Sequence, residues 1–365
     1  MAIFTTKESR KIRDDAKRFE LDAYEVEVTD LMVGEDDYNL KNLPDFTRRL
    51  LAKLNENNGK TREVVGLPAA TGMYEMLPFW HSYFRGMGYR VEIAGIDENF
   101  DYTPKGETEL CYAAALMDRQ LDELCEKGAE IVIFPDLEYA MLHGDETEYR
   151  LNCPAARMLG NKYKNDPRME GKHMMDIELD LNDEYNGPDP IYYFLTDIFG
   201  ASDLAFIRRF VRDSQFYLMR WNDYLKRAAA ISLDDARENG AKILILAGRP
   251  YYNLPAIGHK LDIVAEEMGY YIVGAENVSM FTDYTPEEED PECPQAEWAF
   301  EDRMRRAAKY ALEHPECKFV HMVLGGCGLD EKIAQELKEI LGDAYNCVKV
   351  GPDYSQAEFE GILES

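Results

Sequence analysis

Short apolar runs alternate with amphipathic stretches along most of this chain, and that rhythm limits the folds open to it more than any other feature. Val64-Val65-Gly66-Leu67-Pro68 is a brief apolar run closed by turn residues, the pattern of a buried strand. Met73 to Gly88 reads as a helix ended by glycine, Tyr89–Ile96 as a strand, Glu109–Lys127 as a helix and Glu130–Pro135 as another strand. The second half repeats the order. Lys242–Ala247, Tyr270–Gly274, Phe319–Leu324 and Cys347–Val350 read as strands, and His259–Met268, Ala296–Glu313, Asp330–Leu341 and Gln356–Leu363 as helices. Strands alternating with helices argue for an α/β fold, with parallel sheets covered on both faces. With 365 residues the chain exceeds one small core, which predicts two such domains.

Four segments are expected. Residues 1–62 form a charged helical N-terminal extension, with helices over Lys7–Phe19 and Pro44–Asn55. Residues 63–200 make the first α/β domain. Its last part, 140–200, is broken by Asn152-Cys153-Pro154, Asn165-Asp166-Pro167 and Asn186-Gly187-Pro188 and reads as an irregular, lid-like segment. Residues 201–240 are a helical connector, and 241–365 the second α/β domain. Open parallel sheets bind ligands beyond the carboxyl ends of their strands, where Gly248-Arg249-Pro250 and Gly325-Gly326-Cys327 fall.

Charge excludes some partners. Asp plus Glu is 70 against 41 Lys plus Arg, a net charge of −29 that repels phosphate backbones, so no nucleic acid is expected. The 45% of hydrophobic residues and 23 tyrosines argue against disorder. The opening residues lack the apolar run of a signal peptide, and no stretch approaches the length of a bilayer span. Seven cysteines without a secretion signal predict reduced thiols in a cytoplasm.

Three of those cysteines stand apart. Cys111, Cys153 and Cys327 each fall at a strand–helix boundary or tight turn, in the settings Glu-Leu-Cys-Tyr, Asn-Cys-Pro and Gly-Gly-Cys-Gly. Soft thiolates gathered in a crevice select zinc, copper(I) or iron–sulfur clusters, and three ligands leave one position open. Cys125 and Cys347 read as packing residues, and Cys293 and Cys317 as poor ligand candidates. No Cys-x-x-Cys is present, so spacing alone defines no motif. Arg249, following a strand, is a candidate anion clamp. His259 is either a helix-end polar residue or a site acid/base, and His81, inside an aromatic stripe, reads as a core histidine. Gly59-Lys60-Thr61 mimics a phosphate loop, but Leu54 stands where its glycine is required and a strand follows it, so it is a decoy.

Several strings together resemble the 2-hydroxyacyl-CoA dehydratase and CoA-substrate-specific enzyme activase-related family. Leu67-Pro68-Ala69-Ala70-Thr71-Gly72-Met73-Tyr74-Glu75, running on to Val91, is similar to its opening. Leu110-Cys111-Tyr112, Asn152-Cys153-Pro154 and Gly326-Cys327-Gly328-Leu329-Asp330 resemble its cysteine motifs, and Ala247-Gly248-Arg249-Pro250-Tyr251 its glycine-arginine-proline-tyrosine signature. The chain departs from it at Phe134-Pro135-Asp136, where many relatives carry a cysteine, and the resemblance includes no ATPase activase module. It implies two Rossmann-like domains with a [4Fe–4S] or double-cubane cluster in the cleft between them, held by Cys111, Cys153 and Cys327. Arg249 and His259 would then serve a substrate, as anion clamp and proton donor. The implied activity is low-potential one-electron transfer to a CoA thioester or similar small molecule, as in a dehydratase-like lyase or a double-cubane-type reductase. An ATP-dependent activase would act in trans, and a homodimer is admitted. The alternatives are a non-catalytic electron carrier or scaffold, and a cluster-less interaction paralogue.

Overall fold

The computed structural model describes residues 39–56, 63–104, 111–138, 151–180, 189–199, 204–282 and 298–365. Among these, helix α1 (Leu43–Glu56) precedes β1 (Val64–Pro68), α2 (Met73–Gly86), β2 (Arg90–Ala94), α3 (Tyr112–Glu126), β3 (Ile131–Ile133) and β4 (Asp136–Leu137). Then come α4 (Pro154–Tyr163), β5 (His173–Met175), β6 (Glu178–Leu179), α5 (Asp189–Phe199) and the 35-residue α6 (Leu204–Glu238). The remainder is β7 (Lys242–Ala247), α7 (Leu261–Glu267), β8 (Tyr270–Gly274), α8 (Ala299–Glu313), β9 (Cys317–Leu324), α9 (Gly328–Leu341), β10 (Asn346–Val350) and α10 (Gln356–Glu364). The rhythm read from the sequence is the rhythm of the fold.

Two four-stranded sheets result, ordered β2-β1-β3-β5 and β8-β7-β9-β10, and all their pairings are parallel. Both therefore share the order second-first-third-fourth, and in each the strand order reverses between the first and third strands. That reversal opens a crevice at the strands' carboxyl ends. A third, two-stranded pairing joins β4 to β6.

The first sheet is sandwiched. Ala94, Ala114, Met117, Leu121, Leu124 and Val132 form one buried layer with α3, extended by Phe134 and Tyr163. On the other face Val65, Leu67, Val91 and Ile93 meet the aromatic stripe of α2, and this cluster continues through α6 into Ile243, Ile245, Ile272 and Val320 of the second sheet. Phe79, Trp80, Tyr83 and Phe84 are wholly buried, and adjacent rings meet edge-on at 4.9–6.1 Å. Gly86 lets α2 approach α6, because a β-carbon there would lie 2.8 Å from the ring of Phe210. His81 is a satisfied core histidine, its Nε2 3.0 Å from the carbonyl of Leu54.

Helix α1 is more than an appended charged helix. Asn42 bridges to Ile272 of β8, while Asn55 exchanges hydrogen bonds of 2.8 and 3.0 Å with the backbone of Ile93 in β2. It thus braces the same edge strand of both sheets. Arg48, buried in this helix, bonds Asp262 at 2.7 Å, Asp45 at 3.1 Å and the carbonyl of Asn253 at 2.9 Å. The stretch 140–200 also differs from the expected irregular lid. It supplies β5, the edge strand of the first sheet, and β6. Strands of two and three residues show too few side chains for alternation to be visible. Residues 139–150 and 181–188, like the helix expected over Lys7–Phe19 and the Gly59-Lys60-Thr61 decoy, lie outside the described residues.

Removing one partner of a buried ion pair leaves the other charge without compensation. Arg48→Ala should therefore lower unfolding stability by about 3–5 kcal/mol. The urea midpoint should fall with its slope unchanged, and a midpoint that stays put would show that α1 does not brace the two halves.

Candidate functional site

The crevice of the second sheet is built by two turns. After β7 the chain passes Gly248, where a β-carbon would meet Met322 Cε at 2.9 Å and Tyr252 Cδ2 at 3.1 Å, so a side chain there would have to displace both neighbours. Arg249 then enters a single 3₁₀ turn, Pro250–Asn253. After β9 the chain turns through Gly325 and Gly326, the latter at φ +76°, and Cys327 occupies the N-cap of α9.

Arg249 is 1% exposed. Its Nε donates to Asp330 Oδ1 at 3.3 Å, Nη2 lies 3.9 Å from Cys327 Sγ, and the guanidinium carbon stands 5.4 Å from the centre of the Phe300 ring. Asp330, in the first turn of α9, also accepts from the Tyr252 hydroxyl at 2.6 Å and the Leu324 amide at 3.0 Å. The arginine is therefore fixed by a buried carboxylate, not left free as a clamp.

The other two cysteines approach from the first half. Cys111 is the N-cap of α3 and Cys153 that of α4. The next residue, Tyr112, donates its hydroxyl to the carbonyl of Ala256 at 3.3 Å and packs on Gly351, where a β-carbon would lie 3.1 Å from its ring. On the other side, Leu151 bridges to Trp298 and accepts from the Ala299 amide at 3.2 Å, which ties the Cys153 segment to the start of α8. Asn152 is buried, bonded to the carbonyls of Leu137 and Glu138 at 3.2 and 2.8 Å, and lies against Gly72 beyond the end of β1. The cysteine segments of the first half are thus pinned to elements of the second.

The electrostatics reflect the same proximity. Burial pushes the Cys111 thiol up, the backbone amides of Ala114 and Ala113 and the Arg249 guanidinium oppose the rise, and Cys153 adds to it. Burial likewise raises Cys327, with Asp330 adding and Arg249 opposing. Burial acts against the charge of Arg249 itself, but Tyr251, Tyr252, Asp330 and Cys153 hold it well above the ordinary arginine range. Arg249 is therefore within the electrostatic reach of all three cysteines.

His259 is engaged elsewhere. It adopts a left-handed backbone at φ +51°, its Nε2 lies 2.7 Å from the carbonyl of Gly351, and its ring stacks on Tyr354 at 5.0 Å. This arrangement locks a turn and engages Nε2 with a carbonyl within the protein. Cys125 sits beside the carbonyl of Arg168 and Cys317 is buried in β9; Cys347, read as a packing residue, is instead exposed on the edge strand β10, and Cys293 lies outside the described residues. Asp330, Tyr252 and Phe300 are not singled out by the sequence. Asp330 does close the cysteine motif Gly326–Asp330, but as an acid in a helix's first turn it carries no role of its own there, since acids at that place are common for reasons of the helix dipole.

Among the described residues no three His, Cys, Asp or Glu side chains gather as a single metal ion would need, with ligand bonds of about 2.0–2.3 Å. Three thiols stand at three helix N-termini in the field of one buried guanidinium, where the partial positive charge opposes the effect of burial on Cys111 and Cys327 without overcoming it.

A parallel α/β protein of two open sheets is the class these features define. Residues 64–278 match the CoA enzyme activase uncharacterised domain (DUF2229), and the chain belongs to that family. No curated protein matches it. Among solved structures, the C-terminal domain of glucosamine-fructose-6-phosphate aminotransferase from Francisella tularensis is 11% identical, with 91% of this chain and 94% of that one covered. Its TM-score of 0.18 supports no inference.

Because burial outweighs the helix amides at Cys111 and Cys327, the rate of alkylation of the metal-free protein should go on rising with pH past 9.0, the ordinary thiol value, before it levels off. Mass spectrometry of iodoacetamide-treated peptides across pH measures this. Midpoints below 9.0 for both would mean that the helix N-termini and Arg249 prevail over burial.

Proposed function

We propose that this chain is an iron–sulfur protein related to 2-hydroxyacyl-CoA dehydratases. Cys111, Cys153 and Cys327 would hold a [4Fe–4S] or double-cubane cluster. Such a group supplies low-potential one-electron chemistry when bound, here directed to a CoA thioester or similar small substrate after charging by an ATP-dependent activase in trans. The observation carrying the proposal is that three cysteines distant in sequence cap three helices around one buried arginine. In this reading the chain's own residues have limited tasks. The cysteines ligate, and the α3, α4 and α9 amides together with Arg249 offset the negative charge of thiolates. Asp330 and Tyr252 fix the guanidinium, and the apolar walls limit water. Cytoplasmic anaerobic metabolism is the setting this implies.

A second reading is favoured by a specific observation. Arg249 is already paired with Asp330 and His259 with Gly351, so the two residues expected to serve a substrate are both committed within the protein. A non-catalytic electron carrier or scaffold needs neither.

Anaerobic reconstitution with ferrous iron and sulfide tests the ligation. The wild type should bind about four irons per chain for a single cubane. Cys111→Ser, Cys153→Ser and Cys327→Ser should each lose more than half of that iron, while Cys125→Ser keeps it. Asp330→Asn should retain iron but shift the reduction potential, because Arg249 loses its counter-charge. Iron content unaffected by all three ligand substitutions, or no iron in the wild type, would end the proposal.

A further inference from the structure

Helix α6 carries a surface that the site does not use. At 3.6 residues per turn, Arg208, Arg212, Phe216, Met219 and Asp223 fall within about 80° of one another around the helix. All five are exposed, Phe216 at 57% and Met219 at 62%, while Phe210, Val211, Ser214, Leu218 and Trp221 face inward. Residues 204–227 hold six basic side chains against two acidic ones, a local charge of +4 in a chain of −29. Arg208 is held by Asp189 at 2.7 Å, but Arg212 and Asp223 make no ion pair among the described residues.

We propose that this face of α6 docks a second copy of the chain about a two-fold axis, with α6 antiparallel to its counterpart. In a two-fold interface, residue i meets j and j meets i. An axis passing between Phe216 and Met219 sets Phe216 of each protomer on Met219 of the other. The same register brings each Arg212 opposite the other protomer's Asp223, so one arginine–aspartate pair closes each end of the apolar centre. The remaining basic pair, Arg208 against Arg227, is relieved because Asp189 already holds Arg208. The self-complementary order Arg-Phe-Met-Asp over three turns argues for a second copy over an unrelated acidic partner, which would have no use for Asp223. A flexible methionine beside a phenylalanine adapts well to such a centre. The surface is independent of cluster ligation.

Sedimentation equilibrium of the full chain over a concentration series tests this. Wild type should self-associate. Phe216→Glu should abolish association. Arg212→Asp and Asp223→Arg should each weaken it at least ~10-fold, equivalent to about 1.4 kcal/mol. The double variant Arg212→Asp/Asp223→Arg restores opposite charges in the same register and should recover the wild-type constant to within about threefold. Far-UV circular dichroism matching the wild type and a cooperative urea transition confirm that each variant folds. A monomeric wild type would overturn the proposal, whether α6 instead binds anionic vesicles or nothing. So would a dimer indifferent to these substitutions, or a double variant that folds without recovering.

Discussion

A buried guanidinium organises the crevice. Taking an arginine out of water costs several kcal/mol unless its charge is answered by hydrogen bonds and opposite charge, and Arg249 is 1% exposed. Its answers come from separate places: Asp330 and Cys327 at the start of α9, and Phe300 at the start of α8. Tyr252 supports Asp330 from the turn after β7. The arrangement of one depends on the arrangement of all, so the turn after β7 and the two helices are set in register by one side chain. Arg249 also couples the crevice to the first half, since Cys111 and Cys153 lie in its field.

The two sheets share a strand order, and α1 braces β2 and β8, which hold the same place in each. The chemistry does not follow this likeness. In the second half a cysteine follows the third strand, after Leu324-Gly325-Gly326. In the first half the third strand runs into Phe134-Pro135-Asp136, and Cys111 instead follows the second strand. Asp136 there is bound by Arg157 at 2.8 Å, a pair that needs no thiol. Sheet order fixes where a crevice opens, and the loops decide what lines it.

The fold was largely legible because its signals are local. Val64–Pro68, Lys242–Ala247 and Tyr270–Gly274 are bounded as the apolar runs imply, since a strand buried on both faces must be apolar throughout and ends where turn residues begin. The third and fourth strands of the first sheet carry less information. Ile131–Ile133 is a clear apolar run, but His173–Met175 is an edge strand with an exposed His173. Of the site, the cysteines and Arg249 stand out by their turn settings. Their company does not, because Asp330, Tyr252 and Phe300 become neighbours only through tertiary packing. His259 shows the converse. At the start of a helix it reads either as a helix-end polar residue or as a site acid/base, and the left-handed turn and the carbonyl of Gly351 engage it structurally.

The caps of the three helices bear on why cysteine stands there. Ser, Thr, Asp or Asn at an N-cap satisfies a free amide of the first turn and adds roughly 0.5–2 kcal/mol relative to alanine. Cys111, Cys153 and Cys327 make no side-chain cap hydrogen bond. Sulfur answers the first-turn amides only weakly: those of Ala113 and Ala114 act on Cys111 and those of Leu329 and Asp330 on Cys327, while α4 begins with Pro154, which has no amide to offer. Stability alone would favour an oxygen at each position, as Ser355 provides for α10 through Glu358. In the proposed reading a thiolate-bound anionic group would reverse the preference, because sulfur would bind the metal and the first-turn amides would face negative charge. A missing side-chain cap is not by itself the mark of a ligand, since α2, α7 and α8 also start without one, at Gly72, Lys260 and Trp298; what sets the three cysteines apart is that all lie in the field of Arg249.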